Sequence, residues 1–316
     1  MKKLNDFPVL IFLLLCLLVL QAPMYAQDCG CDITFDASEK PNHFLNGNHT
    51  PVNPGDVICI KGGTYTYIRI INIHGTKEKP IIIKNCDGQV KIDLTNQNNH
   101  GFVMNYSTHF RVTGTGDPNH HYGFRIFNDP QNPGKTAMAL GGNISDVELD
   151  HVEAHDVELG LHLLNVPGCD QSTWAENWTM RNASVHDWYV HHTVKEGLYI
   201  GSSKYGIGHN RTCDGQTLTL QPPLIKSIRV YNNKFDTNGW DAFQVSVAIE
   251  DCQIYNNECR NFGLDDKSSQ RAGIVIGGGS TGLVYNNYIH TGRGDGIDVF
   301  GVGNVRLFNN VIVDVD

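Results

Sequence analysis

The sequence predicts an all-β chain wound as a right-handed single-stranded parallel β-helix, a three-sheet solenoid, and three observations carry that expectation. A six-residue segment recurs as Val230–Phe235 (VYNNKF), Ile254–Cys259 (IYNNEC), Val284–Ile289 (VYNNYI) and Leu307–Ile312 (LFNNVI), at offsets of 24, 30 and 23 residues. A second segment follows each first one and opens on Gly or Ala: Gly101–Met104 (GFVM), Ala137–Leu140 (AMAL), Gly160–Leu163 (GLHL), Gly197–Ile200 (GLYI), Ala242–Val245 (AFQV), Gly273–Ile276 (GIVI) and Gly296–Val299 (GIDV). In both, apolar residues alternate with variable ones, the period of a strand with one buried face. Strands this short bury little alone, so the coils must stack and pair in parallel along the solenoid.

The first segment supplies a strand, an Asn-Asn turn and a second strand; the second segment supplies the third, giving three faces per coil. Asn tolerates left-handed backbone and satisfies turn amides, so Asn232, Asn256, Asn286 and Asn309 read as a structural ladder. The leading Gly or Ala marks a place where a larger side chain would clash. Weaker copies of the first segment are assigned to Met180–Val185 (MRNASV) and Leu149–Ala154 (LDHVEA), with a fragment around Val112. The excess chain leaves the coils as two insertions, around 167–177 and 204–223, and Trp174, Trp178, Trp188, Tyr189 and Tyr205, within or beside them, either stack on sugars or cap apolar coils.

Lys2 and Lys3, the apolar run Val9–Leu20 and Ala26 read as an export signal over 1–26, with one β-helix domain over 27–316. Removal of such a signal leaves no stable membrane insertion, and the chain is expected to be secreted or held at a cell surface. Eight cysteines follow the signal and permit disulfides. Cys169 and Cys213 are placed to staple the insertions, while Cys252 and Cys259 fall on inward positions as buried thiols. The net charge of −9 argues against a nucleic-acid partner. The chain stops at Asp316 directly after an Asn-Asn strand, which suggests truncation of the solenoid and a further C-terminal sorting or binding module.

The stretches Asn53–Tyr65 (NPGDVICIKGGTY), Gly75–Lys84 (GTKEKPIIIK) and Val90–Asp93 (VKID) resemble the opening of secreted pectate-lyase-like β-helix proteins, above all the alginate-lyase and chondroitinase-B-like group. The resemblance implies that these stretches form the first coils and that the partner is a polysaccharide. It transfers no catalytic residue. The set of motifs that polygalacturonase-like hydrolases carry along successive coils is not met: the Asp-Asp, Asp265-Asp266, lies in a polar loop where it reads as solvated, and the tryptophan-containing Asp-His motif of classical pectate lyases is missing.

Candidate chemistry follows from stacking, which makes residues one coil apart lateral neighbours. The variable position of the second segment carries His162, Tyr199, Gln244 and Asp298; the position before its Gly or Ala carries Glu196, Asp241 and Asp295. Loops entering the same edge add His186, His192, Lys195, Arg271 and Arg293. For β-elimination on a uronate, Lys195, Arg271 or Arg293 is the candidate base or neutraliser, and Glu196, Asp241 and Asp295 are candidate Ca²⁺ ligands. For hydrolysis the pair is Asp241 with Asp295 or Asp298. His162, His186, His192, Tyr199 and Gln244 are candidate substrate contacts. The leading expectation is a lyase acting on an anionic glycan; the alternatives are a glycoside hydrolase and a noncatalytic glycan-binding β-helix.

Overall fold

The computed structural model describes residues 29–301 and 303–316, so the expected export signal lies outside the described residues. One coil shows the plan of the rest. Ala248–Tyr255 runs along the first face, Glu258–Arg260 along the second and Ile274–Ile276 along the third. Each pairs in parallel with its counterpart one coil on: Gly282–Tyr285, Tyr288–Gly292 and Ile297–Val299. Val230, Ile254, Val284 and Leu307 stand directly over one another, as the repeat requires. The third sheet contains nine strands among the described residues, from Asn42–Asn46 to Ile297–Val299. The first and second sheets are joined near the start by the bent strand Ile81–Asp93, which pairs with Thr108–Thr113 on one face and Phe124–Phe127 on the other. The result is a parallel β-helix, right-handed as parallel crossovers are.

Period-two alternation fills the interior. Leu161, Leu198, Phe243 and Ile274 of the third sheet are fully buried, as are Val185, Val230 and Ile254 of the first. The small residue opening each third-sheet strand has a steric cause. A Cβ on Gly160 would lie 2.5 Å from the Gly197 carbonyl oxygen and 2.6 Å from a Val190 methyl; one on Gly197 would meet the Ala242 carbonyl oxygen and the Phe235 ring at 2.5 and 2.6 Å.

The Asn-Asn turns divide their work differently from the expectation. The first Asn of each pair, Asn232, Asn256, Asn286 and Asn309, adopts the left-handed backbone with φ of 55, 56, 55 and 53°. The hydrogen-bonded ladder belongs to the second Asn. Asn257 Oδ1 accepts from the Asn233 backbone N–H at 3.1 Å and from Asn233 Nδ2 at 3.0 Å. Asn287 serves Asn257 in the same way, and Asn310 serves Asn287. Each Nδ2 also donates to a carbonyl of the preceding coil, as Asn257 does to Val230 at 2.9 Å. The left-handed residue turns its side chain to solvent, which leaves the inward position to the next one.

The register of one weak copy is corrected. Val185 pairs with Val230 and Val190 with Phe235, so the true copy is Val185–Val190 (VHDWYV) and not Met180–Val185, which lies five residues too early. The Asn-Asn signature is replaced there by Asp187 and Trp188. Asp187 keeps the left-handed φ of 56°. Trp188 ends the ladder: its backbone N–H donates to Asn233 Oδ1 at 3.0 Å and its fully buried indole to the Leu149 carbonyl at 3.1 Å. It is therefore a core residue. Leu149 and Val112 do stack beneath Val185, as read.

Disulfides join Cys29 to Cys86, Cys31 to Cys59 and Cys169 to Cys213, while Cys252 and Cys259 are buried free thiols. The third bridge ties the 167–177 insertion to an antiparallel hairpin, His209–Cys213 with Gln216–Leu220. Both insertions border the third sheet.

Asn257→Ala leaves the Asn233 amides without their buried acceptor and the Val230 carbonyl without its donor. Denaturant unfolding is expected to show a loss of about 2–3 kcal/mol, whereas Asn256→Gly, at the exposed left-handed position, changes stability by only a few tenths.

Candidate functional site

The outward row of the third sheet runs Val103, Ala139, His162, Tyr199, Gln244, Val275 and Asp298, each in register with the next. It follows the order read from the sequence. The His162 and Tyr199 rings meet edge-on, with centroids 5.4 Å apart. The Tyr199 hydroxyl hydrogen-bonds the Ser203 hydroxyl, which also accepts from Gln244 Nε2 at 3.3 Å. Ser203 begins the hairpin insertion, so this insertion fixes two side chains of the row. Burial lowers the His162 pKa and keeps the imidazole neutral near pH 7.

Beside the row lies a second one, Glu196, Asp241 and Asp295. Glu196 and Asp241 are 3% and 2% exposed, and among the described residues neither forms an ion pair. Asp241 Oδ1 accepts the Ala272 backbone N–H at 2.7 Å. Burial pushes its carboxyl up to about 7, and the charges of Glu196 and Asp298 act in the same direction. Glu196 is raised chiefly by burial; Asp298 is raised by burial and then by Asp295. The flank is basic and aromatic: Lys195 pairs with Glu158 at 2.5 Å, and Lys195 and Lys267 stand 5.3 and 3.5 Å from the centre of the Trp240 ring.

The remaining candidates are distributed around this centre. Arg271 pairs with Asp266 at 2.7 Å, and Arg293 donates to the Leu264 carbonyl at 3.4 Å, both within loops between the second and third sheets. Asp265 and Asp266 are exposed, as read. His192 is the penultimate residue of the second-sheet strand Tyr189–Thr193 and lies against His191, Nδ1 to Nδ1 at 2.9 Å. His186 is not in this cleft. It occupies the first sheet, in register with Asp150 and Tyr231, because it belongs to the misaligned copy and takes a strand position instead of a loop position.

His186 instead joins a network that sequence reasoning did not find. Its Nδ1 lies 2.7 Å from Asp187 and its Nε2 3.2 Å from Glu148, and Arg111 Nε reaches Glu148 at 3.1 Å and Asp150 at 2.8 Å. The donor atoms of Glu148, Asp150 and His186 converge closely enough to hold a metal, a relation that Glu196, Asp241 and Asp295 do not share. Arg111 already supplies the positive charge, and Asp150 also accepts from Thr113 and pairs with His151, each at 2.6 Å. This network suits cross-coil bracing. Its signal lay in Arg111 and Glu148, each one residue before the stacked Val112 and Leu149.

Among solved structures, pectate lyase Pel9A matches with a TM-score of 0.54 and 13% identity over 91% of this chain and 80% of that one. The chain has the fold of a pectate-lyase-like parallel β-helix. Two further β-helix matches are the A-module of mannuronan C-5 epimerase AlgE4 from Azotobacter vinelandii and a PL6 family polysaccharide lyase from Pseudopedobacter saltans. Their TM-scores are 0.47 and 0.40, their identities 14% and 16%, and they cover 83% and 84% of this chain and 68% and 65% of their own. No protein-family model and no curated protein matches the chain. For this β-helix the resemblance establishes the coil, and the roles of its residues rest on the geometry above.

Between the ordinary aspartate value of 3.8 and about 7, folded Asp241 keeps a proton that the unfolded chain releases, so stability falls as pH rises through that window. Asp241→Asn keeps an acceptor for Ala272 and removes the titration. In chelator, its stability relative to wild type is expected to rise by roughly 2–4 kcal/mol between about pH 4 and about pH 8. A difference independent of pH in denaturant melts would refute the raised carboxyl.

Proposed function

We propose that the chain binds an anionic, uronate-containing polysaccharide along the outward row of the third sheet and cleaves it by β-elimination. The observation that carries this reading is the sequence of His162, Tyr199 and Gln244 on three successive coils, with Ser203 holding the latter two. Neutral His162 accepts the proton beside the sugar carboxylate. Tyr199 gives its hydroxyl proton to the departing glycosidic oxygen as that C–O bond breaks and the double bond forms. The Gln244 amide donates to the carboxylate on which negative charge builds. Lys195 and Arg271, each expected as base or neutraliser, are engaged in ion pairs; in this reading they shape the flank, as does Arg293.

Ca²⁺ is the expected cofactor, and the residues suit it by donor type: Glu196 and Asp241 are hard oxygen ligands, largely buried and without a cationic partner among the described residues. Their donor atoms and those of Asp295 do not converge, so the three do not fit as a single cation site. A hydrolytic reading draws on one observation, the Asp241 carboxyl held at about 7, the state of a general acid, with Asp298 as its partner. The three disulfides support an exported protein, and no helix of the described residues is long and apolar enough to cross a membrane.

Incubation with pectate, alginate and glycosaminoglycans, with and without Ca²⁺, tests the reading. Elimination yields ultraviolet-absorbing unsaturated ends, and hydrolysis yields reducing ends without that absorbance. His162→Ala and Tyr199→Phe are each expected to lower kcat by about 100-fold or more, while Lys195→Ala and Arg293→Ala retain most of it. Wild-type turnover in both of the first two variants would remove the assignment; glycan retention with neither product would support a binding protein.

A further inference from the structure

The outward row of the third sheet continues past Val103. Arg69 is in register with Val103, and Phe44 with Arg69. Phe44 is 53% exposed, and the Arg69 guanidinium lies over its ring, 5.8 Å from the centroid. Tyr67, Asn99 and His100 enclose these two side chains in a groove of about 500 Å³. Arg111, Arg125, Arg229, Arg260 and Arg271 each have a carboxylate within 3.4 Å. Exposed Arg69 has no such partner among the described residues, although acidic residues outnumber basic ones in this chain.

Between this groove and His162 the row consists of Val103 and Ala139, two short side chains. The floor is therefore low for three coil steps, roughly 14 Å at the spacing of paired strands. A pyranose repeat is comparable in length to one step, so a sugar chain lying along the row keeps approximate register with the coils. An exposed aromatic ring offers a stacking surface to the apolar face of a sugar. An unpaired guanidinium beside it offers two parallel donors to a carboxylate.

We propose that Phe44, Tyr67 and Arg69 form a remote subsite that takes one uronate of a chain whose reacting bond lies at His162. Arg69 forms a bidentate pair with the carboxylate and Phe44 stacks on the ring. The inference rests on the reading that the third sheet carries the glycan, and it adds a contact that selects for anionic polymers long enough to span both places.

Affinity electrophoresis in gels containing polygalacturonate, alginate, or the carboxyl-reduced neutral forms of each tests this, with wild type, Arg69→Ala, Arg69→Lys and Phe44→Ala. The expected result is retention of wild type by at least one polyuronate and an approximately tenfold weaker Kd for Arg69→Ala, with retention on the neutral form unchanged. Arg69→Lys keeps the charge and stem but loses the fork, and is expected to fall between the two. Phe44→Ala weakens retention on both forms. Circular dichroism and melting of the Arg69 variants check folding. Equal retention of wild type and both Arg69 variants on every polyuronate overturns the subsite, as does a wild type that no polyuronate retains. Retention that depends on Arg69 without unsaturated products overturns the elimination reading and leaves the subsite standing; unsaturated products with Arg69-independent retention do the reverse.

Discussion

Coil-to-coil register is the constraint on which the rest depends. Parallel backbone hydrogen bonds set each coil at the height of one strand spacing above the last, and a slip of one residue would exchange inside for outside. The backbone bonds alone tolerate such a slip. Side chains that must meet their equivalents on the next coil do not: the Asn233, Asn257, Asn287 and Asn310 chain closes only in one alignment. On the outside, Tyr231, Tyr255, Tyr285 and Phe308 stack at 4.9, 5.1 and 5.0 Å, repeating the same alignment in aromatic contacts.

Register also makes the candidate site. No short segment contains its chemistry; His162, Tyr199, Gln244 and Asp298 are neighbours only because the coils are stacked. The fold supplies a rigid ruler, and the insertions supply walls. Ser203 shows how the two cooperate, since a loop hydroxyl locks the orientation of two strand side chains. Buried carboxylates beside this row keep a low-dielectric, electrically strained strip next to the groove, in which a bound cation or a retained proton is favoured over bare charge.

The sequence made the third sheet legible because its strands open on Gly or Ala, a requirement that the Val190 and Phe235 contacts explain. With that anchor, the outward row could be written down in order. The first sheet was legible only where the turn kept Asn-Asn. At Asp187 and Trp188 the same backbone turn is built from different residues, the alignment slipped, and His186 was carried to the wrong face. Loops gave no such anchor: Ser203, Trp240 and Lys267 reach the site from segments of unequal length, so no period announces them. Phe44 and Arg69 escaped because their strands, Asn42–Asn46 and Tyr67–Ile71, unlike the later ones, lack the small-residue opening.

Trp188 divides the solenoid into two lengths of different construction. From Asn233 onward the coils share a continuous internal chain of amides, which needs no covalent help. Below Trp188 that chain is absent among the described residues, and there the protein carries Cys29–Cys86 and Cys31–Cys59 across its first coils. Sulfur thus does for one end what asparagine does for the other. A reducing compartment would loosen the early coils, with the Arg69 groove on them, while the later half kept its reinforcement, so the extent of the proposed glycan surface would depend on the redox environment in which the chain folds.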